Sequence, residues 1–189
     1  RAVKNLTKKF IVNDIDSIKN LFKKYPNKFA ALILEPAGLT TVDVDFLSET
    51  KVLCEKNKTL LIFDEIISGF RINIGGAQKE YGIVPDISCF GKGMANGYPL
   101  SAIVGKKKIM NLMEEIFFSS TFGGETLSLA ASIATIDKMI KYSTIEKVNQ
   151  YGAILIKKLN EVCKKNEVFH FMQISTIEWW PQIIVNNPP

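Results

Sequence analysis

The stretch TLLIFDEIISGFRINIGGAQKEYGIVPDISCFGKGMANGYPLSA, residues 59–102, decides how the rest of the chain is read. Leu60, Leu61, Ile62 and Phe63 form an unbroken apolar run, the pattern of a strand buried on both faces, and such strands belong to parallel sheets. Asp64 therefore stands at a carboxyl end. A second run, Ile87 to Phe90, follows Pro85 and ends in Gly91-Lys92-Gly93. Lys92 thus lies on a loop whose glycines admit a close approach by something bulky. In open α/β sheets, ligands collect at the carboxyl ends of strands.

A buried acid and a buried lysine at two such ends suit one chemistry in particular. Pyridoxal phosphate needs a lysine amine for its Schiff base and an anion opposite its pyridine nitrogen, so that the ring stays protonated and accepts electrons. A neighbouring opposite charge moves a pKa by about 1–3 units, enough to hold that proton at neutral pH. Two plainer readings stand beside this one. An acid after a strand also serves as a helix N-cap, and Gly-Lys-Gly also makes a solvated turn.

Composition narrows the alternatives. With 47% hydrophobic and 23% charged residues over 189 positions, the chain has the make-up of a globular protein able to bury a core. The net charge of +5 comes from scattered lysines, with arginine only at Arg1 and Arg71, and no basic stripe is interleaved with aromatics. That pattern argues against a nucleic-acid surface, and no nucleic-acid partner is expected. No apolar stretch approaches the length of a membrane span, and the cytoplasm is the expected compartment. Cys54, Cys89 and Cys163 are odd in number and far apart, as reduced thiols are. His170 is the single histidine, which removes a Ser-His-Asp triad and a His-rich metal site from this chain.

Several ordered motifs together carry a resemblance. Asp64-Glu65-Ile66, Gly69-Phe70-Arg71, Pro85-Asp86 and Gly91-Lys92 resemble the pattern of the class III pyridoxal-phosphate aminotransferases, and Ser119 to Thr126 is similar to that family's threonine loop. The resemblance runs from about residue 29 to residue 163 and is nearest the glutamate-1-semialdehyde aminomutase branch. That branch has Ser-Gly-Asn-Pro at the threonine loop, where this chain has Gly123-Gly124-Glu125-Thr126. The resemblance implies a fold-type I α/β architecture, a mostly parallel sheet with helices on both faces. Catalysis would rest on Lys92, as the cofactor aldimine and later the base, and on Asp64 at the pyridinium. Ile66 would pack on the ring, and Glu35 would lie near cofactor and substrate. Thr121 would bind the phosphate of the neighbouring subunit's cofactor in a homodimer. The substrates would be a small amino donor and a carbonyl acceptor. An aminomutase, or a catalytically silent fragment, is the alternative. For Ile66, simple core packing gives the same sequence pattern; for Glu35 and Thr121, so do a capping loop acid and an ST-turn.

The remaining segments place these motifs. Ile15, Ile18, Leu21, Phe22 and Tyr25 recur at helical steps before Pro26, residues 30–34 read as a buried strand, and residues 45–56 as a helix leading back to Asp64. Gly75-Gly76-Ala77-Gln78 reads as a loop. Residues 100–104 read as a strand, 109–113 as the start of a short helix, and 126–140, apolar nearly all round, as a buried helix. A long amphipathic helix follows. Trp179-Trp180-Pro181 and Ile183 to Val185 read as a strand whose partners are missing. The expected division is part of a cofactor-binding large domain at 1–142, a connecting helix at 143–166 and the beginning of a truncated C-terminal small domain at 167–189. The phosphate loop and stacking aromatic of the resembled family are expected outside this stretch, so the chain reads as a fragment.

Overall fold

A short helix α1 (Ala2–Leu6) is followed by α2 (Ile15–Lys24), which starts where the Asp14 carboxylate accepts the Ser17 N–H at 3.1 Å and stops at Tyr25, before Pro26. The chain then runs through β1 (Ala31–Leu34), α3 (Val44–Lys56), β2 (Leu60–Asp64), α4 (Gly76–Tyr81) and β3 (Ile87–Phe90). A 3-10 turn, Lys92–Met94, leads to β4 (Ala102–Gly105), α5 (Lys107–Met110) and a second 3-10 turn at Asn111–Glu114. Two long helices, α6 (Thr126–Lys141) and α7 (Thr144–Lys165), precede β5 (Met172–Ile174) and β6 (Ile183–Val185). The computed structural model describes residues 2–38 and 41–186. Leu39 and Thr40, within the loop after Glu35, and the last three residues lie outside it. Packing divides the chain into two units, Arg1–Thr135 and Ile136–Pro189.

In the first unit the sheet order is β1-β2-β3-β4, with β1, β2 and β3 parallel and β4 antiparallel to β3. The core lies on the face that carries Leu34, Leu61 and Phe63. Ile18 and Phe22 of α2 and Phe46, Leu47 and Cys54 of α3 pack against it. Burial, and after it the charges of Asp86 and Glu55, push the Cys54 thiol up to about 12, so it stays protonated and inert. The opposite face departs from the expected double burial. Along the row Ile33, Ile62, Ile87 and Gly105, set by the pairing register, Ile62 and Ile87 are half-covered and Ile33 is exposed. Ala31 is exposed as well, because β1 has a neighbour on one side only among the described residues.

Asp86 braces the amino end of the sheet. Its Oδ2 accepts the Leu61 N–H at 2.8 Å, its N–H donates to Leu61 O, and its Oδ1 meets the Lys106 ammonium at 2.6 Å. Three strands are thereby tied at one residue.

In the second unit β5 and β6 pair antiparallel, Met172 with Val185 and Ile174 with Ile183. The strand read as lacking partners therefore has one inside the chain. It was hidden by the irregular connection between them, which Ser175 and Gln182 close by exchanging hydrogen bonds. Gly152 of α7 is needed where that connection crosses, since a Cβ there would lie 2.8 Å from the Glu178 carbonyl carbon. The apolar helix α6 is likewise not buried as expected. Its fully buried residues are Ser128 and Ser132, while Leu127, Leu129, Ile133 and Ile140 are exposed. The apolar face is real, but no described residues of the chain cover it.

Candidate functional site

The parallel register creates the site. Leu34 lies opposite Phe63, and Asp64 lies opposite Cys89. Glu35, Asp64 and the Gly91-Lys92 loop therefore leave three adjacent strands at the same end of the sheet. Strand order alone brings together residues 35, 64 and 92. Asp64 is half-buried, whereas Lys92 and Glu35 are exposed. The expected burial of the pair is thus corrected for the lysine. Its backbone has φ +40°, which turns the chain out of the strand direction into the 3-10 turn and carries the side chain into solvent. A non-glycine residue in that region costs on the order of 1–3 kcal/mol, and such strain gathers at functional loops. No ion pair joins Asp64 and Lys92 among the described residues.

The exit from β2 is a tight turn. Glu65 N–H donates to Cys89 O at 2.9 Å, Gly69 N–H to Glu65 O at 2.9 Å, and Ile66 N–H to Asp64 Oδ1 at 3.1 Å. One oxygen of Asp64 therefore closes a turn and caps no helix, since the next helix begins only at Gly76, and the residue sits at the sheet's ligand-binding end. Burial, and then the Asp64 charge, push the Cys89 thiol above its ordinary value, which marks how near the carboxylate lies. The turn carries Ile66 onto the lysine loop: a Cβ at Gly91 would come within 3.2 Å of Ile66 Cδ1. The bulky neighbours that the glycines admit include the chain's own Ile66 and, at Gly93, Phe70.

Glu65 went unassigned on sequence. It is 0% exposed, and its carboxylate collects four donors: Ser68 Oγ–H at 2.9 Å and Ala77 N–H at 2.5 Å on one oxygen, Gln78 N–H at 3.1 Å and Gln78 Nε2–H at 3.2 Å on the other. The segment Gly75–Gln78 is therefore not a loop. Gly75 is the cap and Gly76 the first residue of α4, which the paired glycines disguise. The available signal was the acid pair itself, since adjacent acids at a strand end point to opposite faces and one must find buried donors.

Thr121 stands apart. It is exposed in a turn before α6, and no hydrogen bond among the described residues brings it to the strand ends. The helix is capped instead by Glu125, whose carboxylate accepts the N–H groups of Leu127 at 2.8 Å and Ser128 at 2.6 Å. One link runs back from α6: Ser132 Oγ–H donates to Met94 O, at the end of the lysine turn, at 3.1 Å. No cluster of His, Cys, Asp or Glu among the described residues could hold a metal, and no described helix is long and apolar enough to cross a membrane.

Parallel strands that bring Glu35, Asp64 and the Lys92 loop to one carboxyl end have the layout of an α/β ligand-binding fold, and comparison with known proteins gives the family. The profile of the class III aminotransferases matches residues 2–174, and the chain belongs to that family. The family works with pyridoxal phosphate. A glutamate-1-semialdehyde 2,1-aminomutase from Wigglesworthia glossinidia brevipalpis is 37% identical over 175 residues, covering 87% of this chain and 40% of that protein. Its counterpart from Archaeoglobus fulgidus is 38% identical over 157 residues, with 79% and 37% covered. Among solved structures, the internal aldimine form of the FumI protein of Sphingopyxis sp. MTA144 matches with a TM-score of 0.86 at 26% identity, over 95% of this chain and 44% of that one. An omega-transaminase from Sphaerobacter thermophilus, at 23% identity and a TM-score of 0.79 over 94% and 42%, shares the fold. The chain spans about two-fifths of the length of these relatives.

Proposed function

We propose that the protein is a pyridoxal-phosphate-dependent aminotransferase that moves an amino group from a small amino donor to a carbonyl acceptor. The observation that carries this reading is the alignment of Asp64 and the Gly91-Lys92 loop on adjacent parallel strands, with Ile66 leaning on that loop. The residues fit the cofactor by the chemistry of their donors: a primary amine for its aldehyde, a carboxylate for its ring nitrogen and a branched aliphatic side chain for its ring. When bound, pyridoxal phosphate supplies an electron-withdrawing ring that makes the Cα proton of an amine removable. Lys92 Nζ would hold the cofactor's aldehyde carbon and, as a free amine, would be the base that takes the Cα proton and the acid that gives it back. Asp64 holds a proton on the ring nitrogen. Ile66 keeps water from one side of the ring, and Glu35 borders the substrate. Thr121 Oγ–H would hold the phosphate of the cofactor bound by a second copy in a homodimer, with the enzyme working in the cytoplasm. Borohydride trapping with pyridoxal phosphate, followed by peptide mapping, tests the assignment. The label is expected on Lys92, and a label elsewhere sinks it.

The curated relatives favour a second reading, a 2,1-aminomutase that shifts the amino group within one molecule. The two readings separate on nitrogen flow. An aminotransferase carries ¹⁵N from a labelled donor into a different product, whereas an aminomutase converts glutamate-1-semialdehyde with no added donor.

A further inference from the structure

We infer that Glu65 is a positioning residue that holds Asp64 and Ile66 in place for the reaction. The inference rests on the reading of Asp64 as partner of the cofactor's ring nitrogen. Every part of Glu65 is tied down. Its N–H reaches Cys89 O and its carbonyl accepts from Gly69, which sets the turn immediately after Asp64. Its carboxylate is gripped by Ser68 from the same turn and by Ala77 and Gln78 from α4. Gln78 Nε2 bridges onward to Ser88 Oγ on β3 at 3.0 Å, so one network spans the turn, the helix and the neighbouring strand. Room for the carboxylate is reserved by Gly76, whose φ is +74° and where a Cβ would lie within 2.6 Å of the Glu65 carboxyl carbon.

A buried carboxylate is a costly way to fold a turn, and a turn that merely had to close would do so with neutral groups. What a fully satisfied buried network adds is rigidity. The rigid part is the segment in which Ile66 N–H donates to Asp64 Oδ1 and Ile66 Cδ1 rests against Gly91. Both oxygens of Glu65 take two donors each, at least one of them a backbone N–H, so a glutamine must turn its NH₂ group toward the N–H of Ala77 or Gln78 and lose that bond.

The test uses the full-length enzyme with its cofactor and follows the visible absorbance of the bound cofactor against pH. Asp64→Asn sets the reference shift of the midpoint. Glu65→Gln is expected to move the midpoint in the same direction by a smaller amount. It should also lower kcat by roughly ten- to a hundredfold, as small misplacements do, while the KM for the amino donor holds. The double variant should shift no further than Asp64→Asn alone, because the two residues act as one unit. A Glu65→Gln enzyme with the parent midpoint, however much its Tm has fallen, overturns the inference, and so does an additive double variant. Where Glu65→Gln yields no folded protein, Gln78→Leu, which removes one donor, decides by the same shift or its absence. If Asp64→Asn leaves the midpoint unmoved, the ring-nitrogen reading has failed and the inference falls with it. A shift in Asp64→Asn without one in Glu65→Gln overturns the inference alone.

Discussion

Asp64 and Asp86 show how differently two acids of one motif set are employed. Asp64, at the carboxyl end of its strand, is expected to matter for turnover. Asp64→Asn should keep the cofactor attached yet slow amino transfer by at least about tenfold, the effect of losing as little as 1.4 kcal/mol from the transition state. Single-turnover kinetics checks this, and parent rates would reduce Asp64 to a turn residue. Asp86, at the opposite end of the sheet, is expected to matter for stability. Burial raises its pKa, but the Lys106 hydrogen bond, the Leu61 N–H and the charges of Lys106 and Lys51 outweigh that and leave it below the usual carboxylate value. A carboxylate depressed in the folded state stabilises the fold above its unfolded pKa, and the contribution is lost as pH falls through the folded value. Asp86→Asn should therefore cost about 1.5–3 kcal/mol near neutrality, the range for a hydrogen bond to a charged group. Its stability should also fall less steeply than the parent's in acid. Urea unfolding at neutral and acid pH measures both. Nothing in the letters Pro85-Asp86 distinguished a brace from a site residue, because that depends on which end of the sheet each occupies.

At the level of elements, legibility followed the strength of local pattern. The LLIF run and the helical spacing from Ile15 to Tyr25 gave β2 and α2 nearly to the residue, since each pattern is satisfied by neighbours inside the chain. Helix α4 escaped notice because its start depends on a carboxylate twelve residues earlier, a contact no local window contains. Helix α6 was found but its buried side was misread. Apolar residues surround it, yet what packs inward is Ser128 and Ser132, and Ser132 meets the lysine turn through its hydrogen bond to Met94 O. Ser132→Ala should thus cost about 1 kcal/mol through the lost bond to Met94 O, whereas Ser132→Leu should cost more by pushing that turn aside. Thermal unfolding of the two variants separates lost hydrogen bond from lost space. Equal costs would mean that α6 tolerates bulk there and that the small residue is incidental.

At the scale of the whole molecule, exposed apolar residues flank the threonine loop in sequence. Phe117 is 97% exposed, and Ile116, Phe118, Phe122, Leu127 and Ile133 are each more than half exposed. Where such residues form a contiguous patch, a partner surface is the usual reason for their exposure. Thr121 lies among these residues, next to Phe122, and no hydrogen bond among the described residues joins it to the strand end that carries Lys92. A homodimer closed over this surface, with each Thr121 serving the partner's site, accounts for both facts and makes a quantitative prediction. Lys92→Ala and Thr121→Ala subunits should each be impaired alone. In a mixed dimer, one site takes its lysine and its threonine from intact positions, while the other has lost both. Random reassortment of equal amounts makes half of the dimers mixed, and half of the sites in those are intact, so activity should recover to about a quarter of the parent's. If Thr121 served its own subunit, every site in the mixed dimer would carry one lesion and mixing would restore nothing. Activity measured after unfolding and refolding the two variants together, against each refolded alone, decides between them, and a fully active monomer would end the shared-site idea altogether.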